Sequence, residues 1–184
     1  MLLPFDELNN LRTEIEGRAY IENGVLKFPK DDCIDLVLDA LILAYVYGVD
    51  YANETLGTDI PPVSERMTET IYKKIADKDF AERVGEYAEQ GKLEELMRVA
   101  ETEMTRDFNG GVLDTGETGG AKYKTWETML DDRVRDTHFY LQSTKIPIEE
   151  KFFTFDGDSA MHPGDFARAE NNCNCRCILK VTNT

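Results

Sequence analysis

The residues with the clearest chemistry lie near the C-terminus, where Cys173, Cys175 and Cys177 occupy alternate positions. Residues two apart share a face of a strand, so the three thiols are predicted to line up as soft ligands for zinc. The two histidines of the chain, His138 and His162, are the candidates for a fourth ligand. The same spacing also fits reduced thiols that are buried as small hydrophobic side chains, and both interpretations stay open.

A second polar group lies in the stretch DDRVRDTH. If this stretch is helical, Asp131, Arg135 and His138 lie on one face. An acid, a guanidinium and an imidazole on one face can bind phosphate or carry out acid–base catalysis. The alternative is an ion-paired helix, in which Asp131 orients Arg135 and His138 caps the helix or fills a groove.

Further upstream, Glu103 and Arg106 lie three residues apart and can pair on a helix. One hypothesis makes Arg106 an inward anchor for the downstream residues, and the other places both side chains on a solvated helix face. The Asp-rich stretch FDGDSAMHPGD is interpreted as Asp-Gly and Pro-Gly turns. Nucleotide-binding glycine loops, a G-x-S-x-G nucleophile elbow and an H-E-x-x-H motif are absent from the sequence. We therefore expect no cofactor, with zinc as the one alternative that the cysteines leave open.

The charge of the chain limits its partners. Its 184 residues carry 21 basic and 36 acidic side chains, a net charge of −15. Residues 1–120 hold 12 basic and 26 acidic side chains, whereas residues 121–184 hold 9 and 10. Such a charge disfavours non-specific binding to nucleic acid or to an anionic membrane, because the long-range field repels phosphate. The near-neutral C-terminal third is the part that can approach DNA or an acidic partner.

No membrane segment is predicted. The sequence MLLPFDELNN lacks the basic region and the long apolar core of a secretory signal. The most apolar run, 40–49, is too short to cross a bilayer. Because the cysteines crowd at one end instead of forming a secreted disulfide framework, a protein made in a reducing cytoplasm is expected.

Hydrophobic periodicity predicts that the N-terminal two thirds are mainly helical. A hairpin turning at Asn23–Gly24 is followed by a long buried helix from Asp31 to about Gly57. A second helix is predicted to begin after Pro62, with Met67, Ile71 and Ile75 on its apolar face. A third is predicted from Phe80 to Tyr87 and a fourth from Lys92 to Asn109. Gly110–Gly111 should stop or bend the fourth helix.

The pattern changes at 116–120, a glycine-rich stretch predicted to be a loop. It divides an acidic helical region, 1–115, from a C-terminal unit, 116–184, that packs on the helix 92–109. In this unit we predict a strand around Tyr123 and Trp126, a helix from Asp131 to Leu141, irregular structure over 145–168, and a terminal strand from Cys173 to Val181. The fold class is α+β, mainly helical at first and followed by a small α+β unit with a short antiparallel sheet.

The order of these motifs resembles the C-terminal domain of phage minor head proteins, the Mu F-like or head morphogenesis family. The resemblance is carried by KTWETMLDDRVRDTH, IPIEEKFFTFDGD, HPGD and NCRC, in that order. RVAETEMTRDFN is similar to the family's preceding helix, and LILAYVYGVDYANETLG to its N-terminal region. The matching positions are candidate structural or partner-contact residues: Thr102, Glu103, Arg106, Trp126, Asp132, Arg133, Arg135, His138, Asp165, Asn174 and Arg176.

The resemblance implies a non-enzymatic virion component that acts in capsid assembly and in genome packaging or delivery. The implied partners are the portal protein and capsid or scaffold proteins, with contact to the packaged DNA as a further expectation and no membrane partner. The protein would be made in the host cytoplasm and reside inside the head, near the portal. Its acidic N-terminal region would dock on a portal or scaffold surface, and its C-terminal unit would lie closer to DNA.

Two rival hypotheses make different demands on the structure. A small nuclease or nucleotidyl-type toxin would use His138 and Arg135 with an acidic partner, either Glu103 or Asp132. It needs these groups together in one open cleft. A zinc-stapled binding module instead needs the thiols and a histidine to converge.

Overall fold

A computed structural model of the protein describes residues 4–63, 65–66, 74–75 and 78–184. The helices are α1 (Pro4–Gly17), α2 (Lys30–Leu56), α3 (Phe80–Glu89), α4 (Leu93–Thr118), α5 (Asp136–Phe139) and α6 (Ala169–Asn172). The strands are β1 (Tyr20–Glu22), β2 (Val25–Lys27), β3 (Lys74–Ile75), β4 (Lys78–Asp79), β5 (Tyr123–Glu127), β6 (Thr144–Pro147), β7 (Phe152–Phe153), β8 (Ser159–Ala160) and β9 (Ile178–Thr182). This arrangement confirms the α+β class and the helical N-terminal region.

Several predictions for the N-terminal region are confirmed. Asn23 and Gly24 have φ of 52° and 78°, the positive values that a two-residue hairpin turn requires, and they join β1 to β2. Helix α2 ends at Gly57, which has the left-handed conformation common just after a helix. Helix α3 also lies where a short helix was predicted.

The helix predicted after Pro62 can be checked only in part. Two residues of its apolar face, Met67 and Ile71, lie outside the described residues. Ile75 lies in β3 and pairs with Lys78 of β4, so its placement on a helical face was wrong.

Helix α4 does not stop at Gly110–Gly111 but continues to Thr118, so the predicted end at Asn109 was wrong. A Cβ atom added at Gly111 would lie 2.3 Å from the carbonyl oxygen of Tyr45 on α2. Gly48 of α2 is equally confined, since its Cβ would lie 1.9 Å from a carbonyl oxygen of α4. These glycines allow the two helix backbones to pack closely instead of ending a helix.

The stretch 116–120 is likewise not a loop throughout. Helix α4 includes Gly116 and ends at Thr118, with Gly119 as the capping residue. The predicted boundary between 115 and 116 therefore falls within a continuous helix, and the division into two domains stays a prediction.

The C-terminal residues form a three-stranded antiparallel sheet in the order β6-β5-β9. Trp126 in the central strand, β5, pairs with Thr144 on one side and Leu179 on the other. This confirms the strand predicted around Tyr123 and Trp126. Tyr123 is at the end of the same strand, opposite Pro147.

Three predictions for the C-terminal unit were wrong. The region 145–168, predicted to be irregular, contains β7, β8 and most of β6. The helix expected from Asp131 to Leu141 is limited to α5, and turns precede and follow it. The terminal strand begins only at Ile178, because Cys173 and Asn174 form a turn and residues 175–177 are irregular. Asn174 in this turn has φ of 55°, a left-handed conformation that a strand does not contain.

In the described ranges, no helix combines the length and apolar character needed to span a membrane.

Candidate functional site

An imidazole and two thiols meet in the C-terminal unit. The Nδ1 atom of His138 lies 3.6 Å from the sulfur of Cys175 and 3.5 Å from that of Cys177. The three side chains are buried, and their candidate ligand atoms all lie within 4.8 Å of one another. We call this group the thiol–imidazole cluster. Among the residues that the structure describes, it includes neither Cys173 nor His162.

The backbone carrying both thiols is held by helix α4. The hydroxyl of Thr105 donates a hydrogen bond to the carbonyl oxygen of Cys175 at 2.8 Å. The side-chain amide of Asn109 donates to the carbonyl oxygen of Cys177 at 3.0 Å. The oxygen of the same amide accepts a hydrogen bond from the backbone N–H of Leu179 at 2.6 Å. These contacts anchor the thiol-bearing segment to α4.

Thr105 and Asn109 were missed by the sequence analysis, although a signal for them exists. They lie four residues apart on a helix with a buried apolar face, and each directly follows a buried residue, Met104 or Phe108. Polar residues on such a face must bond with other buried groups, because leaving them unsatisfied is costly.

Aromatic rings enclose the imidazole. The ring centroid of Trp126 lies 5.4 Å from that of His138, and Phe166 stacks on the imidazole at the same centroid distance. The indole Nε1 of Trp126 is buried and finds no hydrogen-bond partner among the described residues. The imidazole is therefore held in one orientation by packing as well as by its contacts with the thiols.

The two thiols influence each other's ionisation. The hydrogen bond between the two thiols lowers the pKa of Cys175 and raises the pKa of Cys177, and burial raises the pKa of Cys177 further. One of the two sulfurs therefore accepts negative charge more readily than an isolated thiol.

Three arginines lie beside the thiol–imidazole cluster. Arg133, Arg135 and Arg176 line a small cavity of about 10 Å³ that also borders the imidazole and both buried thiols. The guanidinium of Arg135 donates a hydrogen bond to the carbonyl oxygen of Cys173. Arg176 bonds both carboxylate oxygens of Asp131 at 2.8 Å, and this bond lowers the pKa of Asp131.

The predicted helical face of Asp131, Arg135 and His138 does not exist. Asp131 precedes α5, Arg135 is the residue before its first turn, and only His138 lies within it. Their partners differ as well, so the three groups do not form one phosphate-binding or catalytic face.

Arg106 anchors the downstream residues. Its guanidinium lies 3.1 Å from Asp165, beyond β8, and so connects α4 to a C-terminal loop. A Cβ atom at Gly164, which has φ of 88°, would lie 2.8 Å from the Cα of Arg106. Because the backbone at position 164 passes so close to α4, only glycine fits there, directly before Asp165.

The other family-motif residues have separate positions. Thr102 bonds the carbonyl oxygen of Arg98 within α4, Glu103 is buried on the same helix, and Asp132 and Asn174 are exposed. His162 lines a larger cleft of about 490 Å³ that also includes Arg106 and Asp165, and burial lowers its pKa.

Lys124 is a second buried polar group that the sequence analysis did not identify. It lies on the central strand and is 0% exposed. Its ammonium group lies 3.8 Å from the sulfur of Met161 and 5.6 Å from the ring centroid of Phe152. Burial lowers its pKa to about 8.

Comparison with known proteins gives a match to one family and to relatives with two different names. Residues 62–180 match the family described as Phage Mu protein F like protein. The minor head protein GP7 of Bacillus phage SPP1 is 34% identical over 83 residues, which are 44% of this chain and 27% of that protein. The NAD(+)–arginine ADP-ribosyltransferase EFV of Enterococcus faecalis is 30% identical over 92 residues, which are 48% of this chain and 19% of that protein. The matched part is thus about a quarter of the length of the minor head protein and about a fifth of the length of the transferase. No solved structure matches the chain significantly.

Proposed function

Because the chain belongs to the Phage Mu protein F like family, we propose that it is a minor head protein of a phage or prophage. In this role it resides inside the virion head, associates with the portal, and acts in capsid assembly and genome packaging or delivery. The observation that carries the proposal is the family match over 62–180, which extends from before α3 into β9. The relative named as a minor head protein supports the same role.

The role is proposed to be structural. The internal contacts of the family-motif residues support this, since Arg106 and Arg135 both join separate parts of the chain. The transferase relative does not favour an enzymatic role for this chain, because the matched segment is only 19% of that protein.

The geometry disfavours the nuclease or nucleotidyl-type toxin. His138 is only 1% exposed, and the cavity beside it has a volume of about 10 Å³, which has room for about one water molecule. Asp132 is exposed, whereas the histidine is enclosed by aromatic rings. A phosphodiester or nucleotide needs a far larger open site.

We propose that the acidic N-terminal helices provide the surface that docks on the portal. Asp35 and Asp39 lie one helical turn apart on the exposed face of α2. Both side chains are exposed and can contact a basic surface on a partner, whereas Arg106 and Arg135 form contacts within the chain. Electrostatic complementarity of this kind would make the association fast and sensitive to salt.

A pull-down with the portal protein from the same phage or prophage tests this role. The wild-type chain should bind the portal protein at low salt. The double variant Asp35→Asn/Asp39→Asn should bind more weakly, whereas Glu149→Gln/Glu150→Gln, which removes two exposed charges from the C-terminal unit, should bind as the wild type does. Absence of wild-type binding contradicts portal association, and equal binding by both variants contradicts docking through α2.

A further inference from the structure

We propose that His138, Cys175 and Cys177 form a zinc site in which one imidazole nitrogen and two thiolates bind the ion. No described residue outside this cluster completes a larger group of potential ligands. The remaining coordination position is assigned to a water molecule in the adjoining cavity.

The two nitrogen–sulfur distances of the cluster are those that a shared tetrahedral ion requires. Zinc binds sulfur at about 2.3 Å and imidazole nitrogen at about 2.0–2.1 Å, so tetrahedral angles place the two ligand atoms about 3.6 Å apart. The Nδ1 atom of His138 lies 3.6 Å from one sulfur and 3.5 Å from the other. A metal can therefore be accommodated without moving the imidazole relative to either sulfur.

A single linear hydrogen bond does not account for both distances. A ring nitrogen of histidine either donates one hydrogen bond or accepts one through its single lone pair. Nδ1 nevertheless lies at nearly equal distances from the sulfurs of Cys175 and Cys177. An ion bound by all three atoms explains this symmetry, whereas a single hydrogen bond would favour one sulfur.

The cavity supports the assignment of a fourth, water ligand. Its volume of about 10 Å³ is close to that of one water-sized sphere, and the imidazole and both thiols border it. The two cysteines are 2% and 4% exposed, so a substrate molecule has no access to the sulfurs. The two sulfurs are therefore placed to bind an ion and not to act as nucleophiles on a substrate.

The surroundings favour the charged ligands that zinc needs. Arg133 and Arg135 line the cavity, and their positive charge near the sulfurs favours thiolate ligands, whereas Arg176 is already paired with Asp131. The rings of Trp126 and Phe166 pack against the imidazole and cover this side of the cluster.

The ligands are also held in place before any metal binds. Thr105 and Asn109 fix the carbonyl groups of the two cysteines, as described above. The hydroxyl of Thr137, beside the histidine, donates to the side-chain oxygen of Asn171 at 3.2 Å. A bound ion would then connect α5 to the segment leading into β9, across 37 and 39 residues of chain.

The metal content of the full chain tests the proposal. The protein is expressed without added histidines, purified without chelators and analysed by inductively coupled plasma mass spectrometry. Wild-type protein should contain about one zinc per chain, and Cys177→Ser and His138→Gln should contain almost none. Cys173→Ser is the matched control, since it removes a thiol from the same segment but outside the cluster, and it should retain the zinc.

The wild-type protein decides the question even if the ligand variants do not fold. Cobalt substituted for zinc should give the visible bands of a tetrahedral ion and thiolate-to-metal charge transfer. The proposal is overturned by metal-free protein whose four cysteines all react as free thiols after unfolding, or by a disulfide between Cys175 and Cys177. Equal zinc loss in Cys173→Ser and Cys177→Ser would also overturn it. None of these measurements depends on the proposed role in the phage head.

Discussion

Replacing Lys124 with Met tests the cost of burying an ammonium group in the central strand. The side chain is 0% exposed, and its contacts with the Met161 sulfur and the Phe152 ring do not neutralise its charge. Burial lowers its pKa from 10.5 to about 8, an effect only partly opposed by Glu117 and other acidic residues. This difference corresponds to about 3 kcal/mol of folding free energy, because one pKa unit is worth about 1.4 kcal/mol.

The pH dependence follows from the direction of this shift. Between about pH 8 and 10.5 the unfolded chain holds a proton on Lys124 that the folded chain has released, so the free energy of unfolding rises with pH in this interval. Below it, the lysine is charged in both states and the full cost of about 3 kcal/mol is present. Lys124→Met, which has a neutral side chain of similar length, should therefore be more stable than the wild type at neutral pH by up to this amount.

Urea unfolding at several pH values provides the measurement. The advantage of Lys124→Met should shrink as the pH rises through the interval, while Lys122→Met, at an exposed position two residues earlier, should change stability by less than about 0.5 kcal/mol. A Lys124→Met variant that is less stable than the wild type at neutral pH, with a difference independent of pH, would refute the reasoning. That outcome would mean that the folded protein stabilises the ammonium group.

Three further predictions concern the packing around the site. Gly111→Ala should destabilise the protein by about 2 kcal/mol or more, because its methyl group would meet the α2 backbone, whereas Gly110→Ala should stabilise it by about 0.5–1 kcal/mol in urea unfolding. If both variants behave alike, the helix does not continue through these glycines. Asn109→Ala should cost about 3 kcal/mol by leaving buried backbone groups unsatisfied, while the exposed Asn9→Ala should be neutral within error. Equal stabilities would show that these hydrogen bonds are not needed. Acrylamide should quench the fluorescence of Trp126, the single tryptophan, weakly in the native protein and strongly after unfolding, and strong native quenching would contradict its burial.

Local structure could be predicted from the sequence where the backbone preferences of a few adjacent residues determine it. Asn23–Gly24 and Gly57 mark a hairpin turn and a helix end because these residues adopt positive φ at low cost, whatever surrounds them. Helix α2 was predictable because its apolar positions repeat over seven turns of helix.

Predictions from short sequence patterns were wrong where contacts with distant residues determine the local structure. Gly110–Gly111 has the composition of a helix end, but close packing against α2 uses the missing Cβ atoms within a continuous helix. The residues 131–135 have helical spacing, yet the ion pair between Asp131 and Arg176 joins them to the segment before β9. The identity of that partner is not encoded within either segment.

The sequence by itself determined the family, the α+β class and the set of side chains able to bind a soft metal. Residue type and motif order are properties of the chain, and they require no knowledge of how distant segments pair. Tertiary structure decided which members of that set meet: His138 instead of His162, and Cys175 and Cys177 without Cys173. The physical reason is that antiparallel pairing of β5 with β9, together with hydrogen bonds from Thr105 and Asn109, fixes where each side chain lies. Contacts between residues so far apart in the chain form only when the whole unit folds.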